Sequence, residues 1–184
     1  RTLTLKSTLE SQFDGHRDLL DGLRCNLKSF SHHKSHAAAG FQTSPYDDAT
    51  VVVIDAIGEM DTVSIWHAEY NRAGKAKYKK LWGMKYPQSI GLFYSAFTKR
   101  AGLRPLDEEY ILMGMAAYGK PSYEEHILNK YVEQLNPPTF KENLHTGCDE
   151  FMPNIDFNDT NQQGYDLAAS AQNIVEHFIY NIMA

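Results

Sequence analysis

The sequence predicts an α/β fold in which a three-stranded antiparallel meander is packed by helices. Three observations carry that reading. Val51-Val52-Val53-Ile54 is an unbroken β-branched run of the kind found in buried strands. Directly after it, Val63, Ile65 and His67 alternate with Ser64 and Trp66, the period-two pattern of a strand with two different faces. Beyond residue 86 the apolar spacing changes to that of helices, with Leu92, Phe93, Ala96 and Phe97 on one face and Leu167, Ala171, Ile174, Val175, Phe178 and Ile182 on another.

Taken in order, Leu5, Leu9, Phe13, Leu19, Leu20 and Leu23 suggest an amphipathic helix interrupted near Asp14-Gly15. Cys25 to Phe30 reads as a short strand leading to a helix that begins around His32. The alanines Ala37 to Ala39 favour that helix, and Gly40 suits its end. Thr43-Ser44-Pro45 is a turn, with Asp47 and Asp48 as solvated loop charges. The strands are expected at Val51 to Asp55, Thr62 to Asn71 and Ala76 to Lys85, with turns at Ala56–Asp61 and Arg72–Lys75. Arg72, Lys75, Lys77, Lys79, Lys80 and Lys85 make the last hairpin cationic, which suits an edge strand guarded against further pairing. Ser89 is placed to cap a helix running from Ile90 to about Ala101. Within Leu106 to Tyr118, Gly114 and the following Gly119 suit close helix packing and a turn, and a helix is expected from Ser122 to Gln134, closed by Pro137-Pro138. Residues 139–164 read as an irregular polar excursion, and Asp166 as the cap of a last helix through Ile182.

The chemistry-bearing residues fall close together. Three of the eight histidines, His32, His33 and His36, lie within five residues. His32 and His36 are four apart, so a helix sets both imidazoles on one face, and neutral imidazole is the commonest side-chain metal ligand. Asp55 closes the β-branched run, at the strand mouth where open α/β sheets place ligands. Two imidazoles and a carboxylate resemble the facial set used by Fe(II) and related ions. Spacing alone leaves the plainer alternatives open: a solvated histidine face, and an aspartate that merely caps the next turn. His145, Cys148 and Asp149 are also near one another, but at no standard zinc spacing.

Composition narrows the classes. A chain of 184 residues can build one or two modest domains with a real core. A formal charge of −5 argues against a general nucleic-acid binder. Two cysteines make no disulfide framework, so a reducing cytoplasmic setting is the simplest expectation. No apolar run approaches the roughly 20 residues of a membrane span.

Four motifs in order give a resemblance. His32-His33-x-x-His36-Ala37 with Ser44-Pro45-Tyr46 and Asp55-x-x-Gly58-Glu59 comes first. Ser89-Ile90-Gly91-Leu92-Phe93-Tyr94-Ser95-Ala96-Phe97-Thr98 follows, then Met113-Gly114-Met115-Ala116-Ala117-Tyr118-Gly119, then Asp166-Leu167-Ala168-Ala169-Ser170-Ala171-Gln172. Together they resemble the carbamoyltransferase family of the nodulation-protein and antibiotic-tailoring type. The resemblance implies an actin-like, ribonuclease-H-like fold, with residues 1–46 ending a first lobe and 47–184 opening a second. It implies a divalent metal, iron fitting best, on His32, His36 and Asp55, and phosphate or nucleotide contacts at Gly58 and Glu59. His33, on the side of the helix away from His32 and His36, is either structural or a substrate contact, and Glu109 is a further candidate contact. The implied reaction moves a carbamoyl group from carbamoyl-adenylate, made from carbamoyl phosphate and ATP, to a hydroxyl of a small-molecule acceptor.

Against the family the chain reads as an internal piece of a longer enzyme. The general base, a further carboxylate ligand and the adenylate-forming domain are expected in the remainder of the parent chain, so the isolated piece is expected to be inactive. Three positions depart from the family pattern: Ala56 and Glu108 where glycine is usual, and Ile111 where lysine is usual. Two other readings stand beside this one, and the three departures lend weight to the first of them. One is a non-catalytic nucleotide-binding module of the same fold. The other is a carbamoyltransferase of the threonylcarbamoyl or hydrogenase-maturation type, which the Ser-Pro-Tyr and Tyr-Ser-Ala-Phe motifs disfavour.

Overall fold

A computed structural model describes residues 30–184, of which His32–Ala184 form one unit. The helix and strand expected before Phe30 lie outside the described residues. Helix α1 runs over His32–Gln42 and turns His33, Ala37 and Phe41 inward, at the i, i+4, i+8 spacing of one helical face. Those residues meet one face of a sheet made of β1 (Asp48–Gly58), β2 (Asp61–Tyr70) and β3 (Ala76–Lys85). The strands are antiparallel in the order β1-β2-β3, as the alternation predicts. Cross-strand pairs Val51–Trp66 and Val53–Ser64 put the apolar side of this face under α1, where Ala37, Val53 and Trp66 form a small core.

The opposite face is buried by a larger helical layer. Ile54, Val63, Trp82 and Met84 pack there against α2 (Ile90–Arg100), α3 (Glu109–Ala116), α4 (Glu124–Tyr131) and α5 (Gln162–Met183). The rings of Phe93, Phe140 and Phe178 meet at centroid separations of 5.4 to 5.7 Å and anchor α2 to α5. Ser89 caps α2 as expected, its Oγ accepting the Leu92 N–H at 3.0 Å.

Several expectations are corrected. The helix expected to continue to Gln134 stops at Tyr131, and the chain turns into a hairpin of β4 (Val132–Leu135) and β5 (Pro138–Phe140). Asn161, not Asp166, caps α5, accepting the Gly164 N–H at 2.7 Å. Asp166 lies a turn further in and accepts the Lys120 N–H at 2.8 Å, tying the end of the α3 region to α5. Asp48 is no loop charge but the first residue of β1. Among the described residues no helix is long and apolar enough to cross a membrane.

Candidate metal centre

The site grows from an irregularity in β1. Pairing with β2 is regular from Asp48 through Ile54, which faces Val63, and resumes only at Gly58 opposite Asp61. Asp55 to Ile57 therefore stand opposite Thr62 alone, the kind of bulge that bends a strand and re-aims its side chains. Asp55 is the first residue released from the regular ladder. Its Oδ1 accepts the Ala56 N–H at 2.7 Å, which fixes the carboxylate and leaves Oδ2 turned toward α1.

Opposite it, the first turn of α1 presents His32 and His36. His32 Nε2 lies 2.7 Å from Asp55 Oδ2 and 3.0 Å from His36 Nε2, and His36 Nε2 is 3.8 Å from the same carboxylate oxygen. One nitrogen, His32 Nε2, thus faces two partners, and a neutral ring has a single proton or a single lone pair there to offer. A cation on the three facing atoms relieves that competition. Ligands about 2.1 Å from a common ion stand about 3.0 Å apart at right angles and about 3.4 Å apart at tetrahedral angles. The observed triangle of 2.7, 3.0 and 3.8 Å brackets those spacings, so the residues fit a divalent metal. Burial pushes the Asp55 carboxyl up, but the Ala56 N–H and the two imidazoles outweigh it and hold the group below the usual carboxylate range. The carboxylate is therefore ionised at neutral pH, as a ligand must be.

Helix α2 buttresses the carboxylate from behind. Ser89 Oγ donates to the Ala56 carbonyl at 2.7 Å while accepting from Leu92, so the α2 cap is tied to the backbone next to Asp55. Gly91 comes so near that a Cβ there would stand 2.7 Å from the Ala56 Cα. The close backbone approach at this point is thus provided by Gly91, and Ala56 keeps its methyl group.

The other expected residues fall in different places. His33 is 1% exposed and turns inward, its Nδ1 2.6 Å from Ser64 Oγ. Burial pushes its pKa down, outweighing the attraction of Asp61 and Asp55, so the ring is neutral at pH 7. Gly58 touches the histidines directly: a Cβ on it would stand 2.6 Å from His33 Nε2 and 2.7 Å from His32 Cδ2. Its part is close approach, because the left-handed residue of the β1–β2 turn is Glu59, at φ 64°. Glu109 is not among the atoms that meet there; it accepts from the Ser95 hydroxyl and the Leu106 N–H, each at 2.6 Å. Glu108 pairs with Arg104, and Ile111 packs on the main core.

Two features escaped sequence reasoning. Trp66 Nε1–H donates to Ser64 Oγ at 2.7 Å, forming a buried chain beneath His33. Alternation does place Ser64 and Trp66 on one face, which was the only signal for it. A second group, Asp48, His67 and Glu69, gathers ligand atoms within 4.8 Å at the far end of β1, with His67 Nε2 3.1 Å from Asp48 Oδ2. Only the strand register, which sets Asp48 opposite Glu69, reveals it.

Comparisons with known proteins bear on this geometry. A family model described as the carbamoyltransferase N-terminus matches residues 6–182. The chain is 40% identical over 113 residues to an uncharacterised protein of Synechocystis sp., covering 61% of this chain and 18% of that protein. It is 26% identical over 157 residues to nodulation protein NolNO of Sinorhizobium fredii, covering 83% of this chain and 22% of that protein. Nodulation protein NolO of Bradyrhizobium diazoefficiens is likewise 26% identical, over 159 residues, 83% of this chain and 28% of that protein. The chain therefore spans between 18% and 28% of the length of these curated relatives.

Proposed function

The chain belongs to the carbamoyltransferase family, and from that premise we propose that it carries the metal-binding part of an enzyme that moves a carbamoyl group to a hydroxyl of a small-molecule acceptor. The observation that supports this most is the meeting of His32, His36 and Asp55 from two separate elements, with three ligand atoms turned toward one point. In this reading the fold is actin-like, residues 1–46 close its first lobe and residues 47–184 open the second. The site then lies where α1 meets the sheet.

His32, His36 and Asp55 hold the divalent cation, and iron(II) suits the donor set. When bound, it supplies Lewis-acid polarisation of an oxygen on the reacting group. The chain's own residues do the positioning. The β1–β2 turn at Gly58 and Glu59 directs backbone N–H groups toward the adenylate phosphate. Asp55, fixed by the Ala56 N–H and by the α2 cap, keeps its place while the substrate exchanges. The acceptor hydroxyl attacks the carbamoyl carbon of carbamoyl-adenylate, its O–H proton passes to a base supplied by the remainder of the parent chain, and AMP leaves with the bonding pair. Carbamoyl phosphate and ATP are the sources of the adenylate, formed in another part of that chain.

Metal analysis of freshly purified protein tests this reading. About one equivalent of a divalent metal is expected in the native protein, and His36→Ala should fall below about a tenth of that. Equal metal in both, or none in either, overturns it. The 184-residue chain alone should transfer no carbamoyl group, and transfer by it would overturn the division of labour.

A further inference from the structure

Beneath the metal ligands lies a buried polar chain whose end has no partner. Trp66 Nε1–H donates to Ser64 Oγ at 2.7 Å, and Ser64 Oγ is 2.6 Å from His33 Nδ1. Trp66 can only donate. Ser64 is fully buried, so the acceptor its hydroxyl hydrogen finds is His33 Nδ1. That assignment leaves the imidazole proton on His33 Nε2, a buried atom with no hydrogen-bond partner among the described residues. An orphan donor in a core is costly, and a phenyl ring of similar shape would avoid the cost.

The ring's position supplies a use. Its Nε2 edge presses on the Gly58 Cα, where a Cβ would stand 2.6 Å from it. The Cδ2 of His32 crowds the same Cβ position, 2.7 Å from it, so both rings lie over the face of Gly58 where a side chain would stand. The His32 and His33 ring centroids are 6.0 Å apart and tilted by 44°. Ser64 and Trp66 therefore fix His33, His33 fixes the Gly58 backbone, and that backbone limits how far His32 can swing.

We propose that His33 is a positioning residue for the metal: locked through Ser64 and Trp66, it sets by way of Gly58 the orientation in which His32 presents Nε2 beside His36 and Asp55. The inference rests on the reading of His32 as a ligand. It gives His33 a role that requires neither contact with substrate nor a change of protonation.

Cobalt(II) titration of the purified metal-free protein tests it, read by dissociation constant and by visible absorption. Ser64→Ala removes the lock, His33→Phe keeps the ring and removes its nitrogens, and Ser64→Thr keeps the hydroxyl. Ser64→Ala and His33→Phe should each bind cobalt(II) about 10- to 100-fold more weakly, the range for partners that orient ligands. Their absorption bands should shift, while Ser64→Thr restores most of the affinity and the native bands. The melting temperature of each metal-free variant shows that it is folded, and His33→Phe serves if Ser64→Ala does not fold. Native affinity and spectrum in both folded variants overturn the inference and leave the metal reading standing. Absence of cobalt(II) binding by the native protein overturns both.

Discussion

Strand β1 carries a carboxylate–imidazole group near each end, two imidazoles with one carboxylate at one end and one imidazole with two carboxylates at the other. At one end Asp55 meets His32 and His36, which come from a different element. At the other, Asp48 meets His67 and Glu69, all on the sheet itself. Asp48 and Glu69 stand directly opposite each other, where like charges repel. Glu69 stands in register with Lys77 and His67 with Lys79, so the group is flanked by cationic side chains on the next strand. Lys34, Lys77 and Lys79 also line the same groove and set a positive field against any cation there. Among the described residues Asp55 is paired with His32 and His36 and with no lysine, and the group is backed by the buried His33–Ser64–Trp66 chain. Proximity of ligands is common to both ends; support and field separate them.

The largest effect should come from exchanging one carboxylate at each end. Asp55→Asn should lower metal content from about one equivalent to a trace, a loss in affinity of at least about 100-fold. Asp48→Asn, or His67→Ala with Glu69→Gln, should leave metal content unchanged. Plasma emission spectrometry on the purified variants reads both, and the comparison breaks if the Asp48 group proves to hold the ion.

The glycines near the two ends sharpen the contrast. Gly58→Ala forces a methyl group against both His33 and His32, and overpacking of this kind costs about 1–3 kcal/mol. Gly40, on α1, meets Val51 Cγ1 at an ordinary 3.8 Å from the place a Cβ would take. Gly40→Ala should therefore stabilise by up to about 1 kcal/mol, the gain from glycine to alanine within a helix. Urea unfolding of the metal-free proteins measures both, and equal signs would show that the two ends tolerate bulk alike.

This contrast also shows how far the sequence could be read. The meander was legible because a β-branched run marks β1, alternation marks β2 and turn residues separate the strands, and β3 runs over Ala76–Lys85 as expected. The convergence of His32 and His36 follows from their spacing, and the approach of Asp55 from its place at the edge of a buried run. What was hidden is what depends on register. The bulge after Ile54, the facing of Asp48 and Glu69 and the chain from Trp66 to His33 all require knowing which residue stands opposite which. The hairpin of β4 and β5 was missed for another reason: Val132 to Leu135 is too short to show a period, and Pro137-Pro138 suggested only a stop. Asp166 has the side chain of a cap but stands inside α5, whereas Asn161, three residues before Gly164, takes that role.

The smallest expected effect is a change that should not occur, and it decides whether the others are local. Cys148 is buried and its Sγ lies 3.3 Å from the Ala96 carbonyl, on the main core far in sequence from both groups. Burial pushes its thiol up to about 12, against the pull of Arg100, so almost no thiolate exists at pH 8 in the native state. Alkylation there must wait for opening of the core, and its rate reports the population of the opened form. In a Cys25→Ser background, iodoacetamide labelling of Cys148 at pH 8 should be equally slow in the native, Asp48→Asn and Asp55→Asn proteins, agreeing within about twofold. A rate ten times higher in Asp55→Asn alone would mean that its lost metal reflects a loosened core. The two ends of β1 would then differ in what they hold together, and the lesson drawn from their charges would not stand.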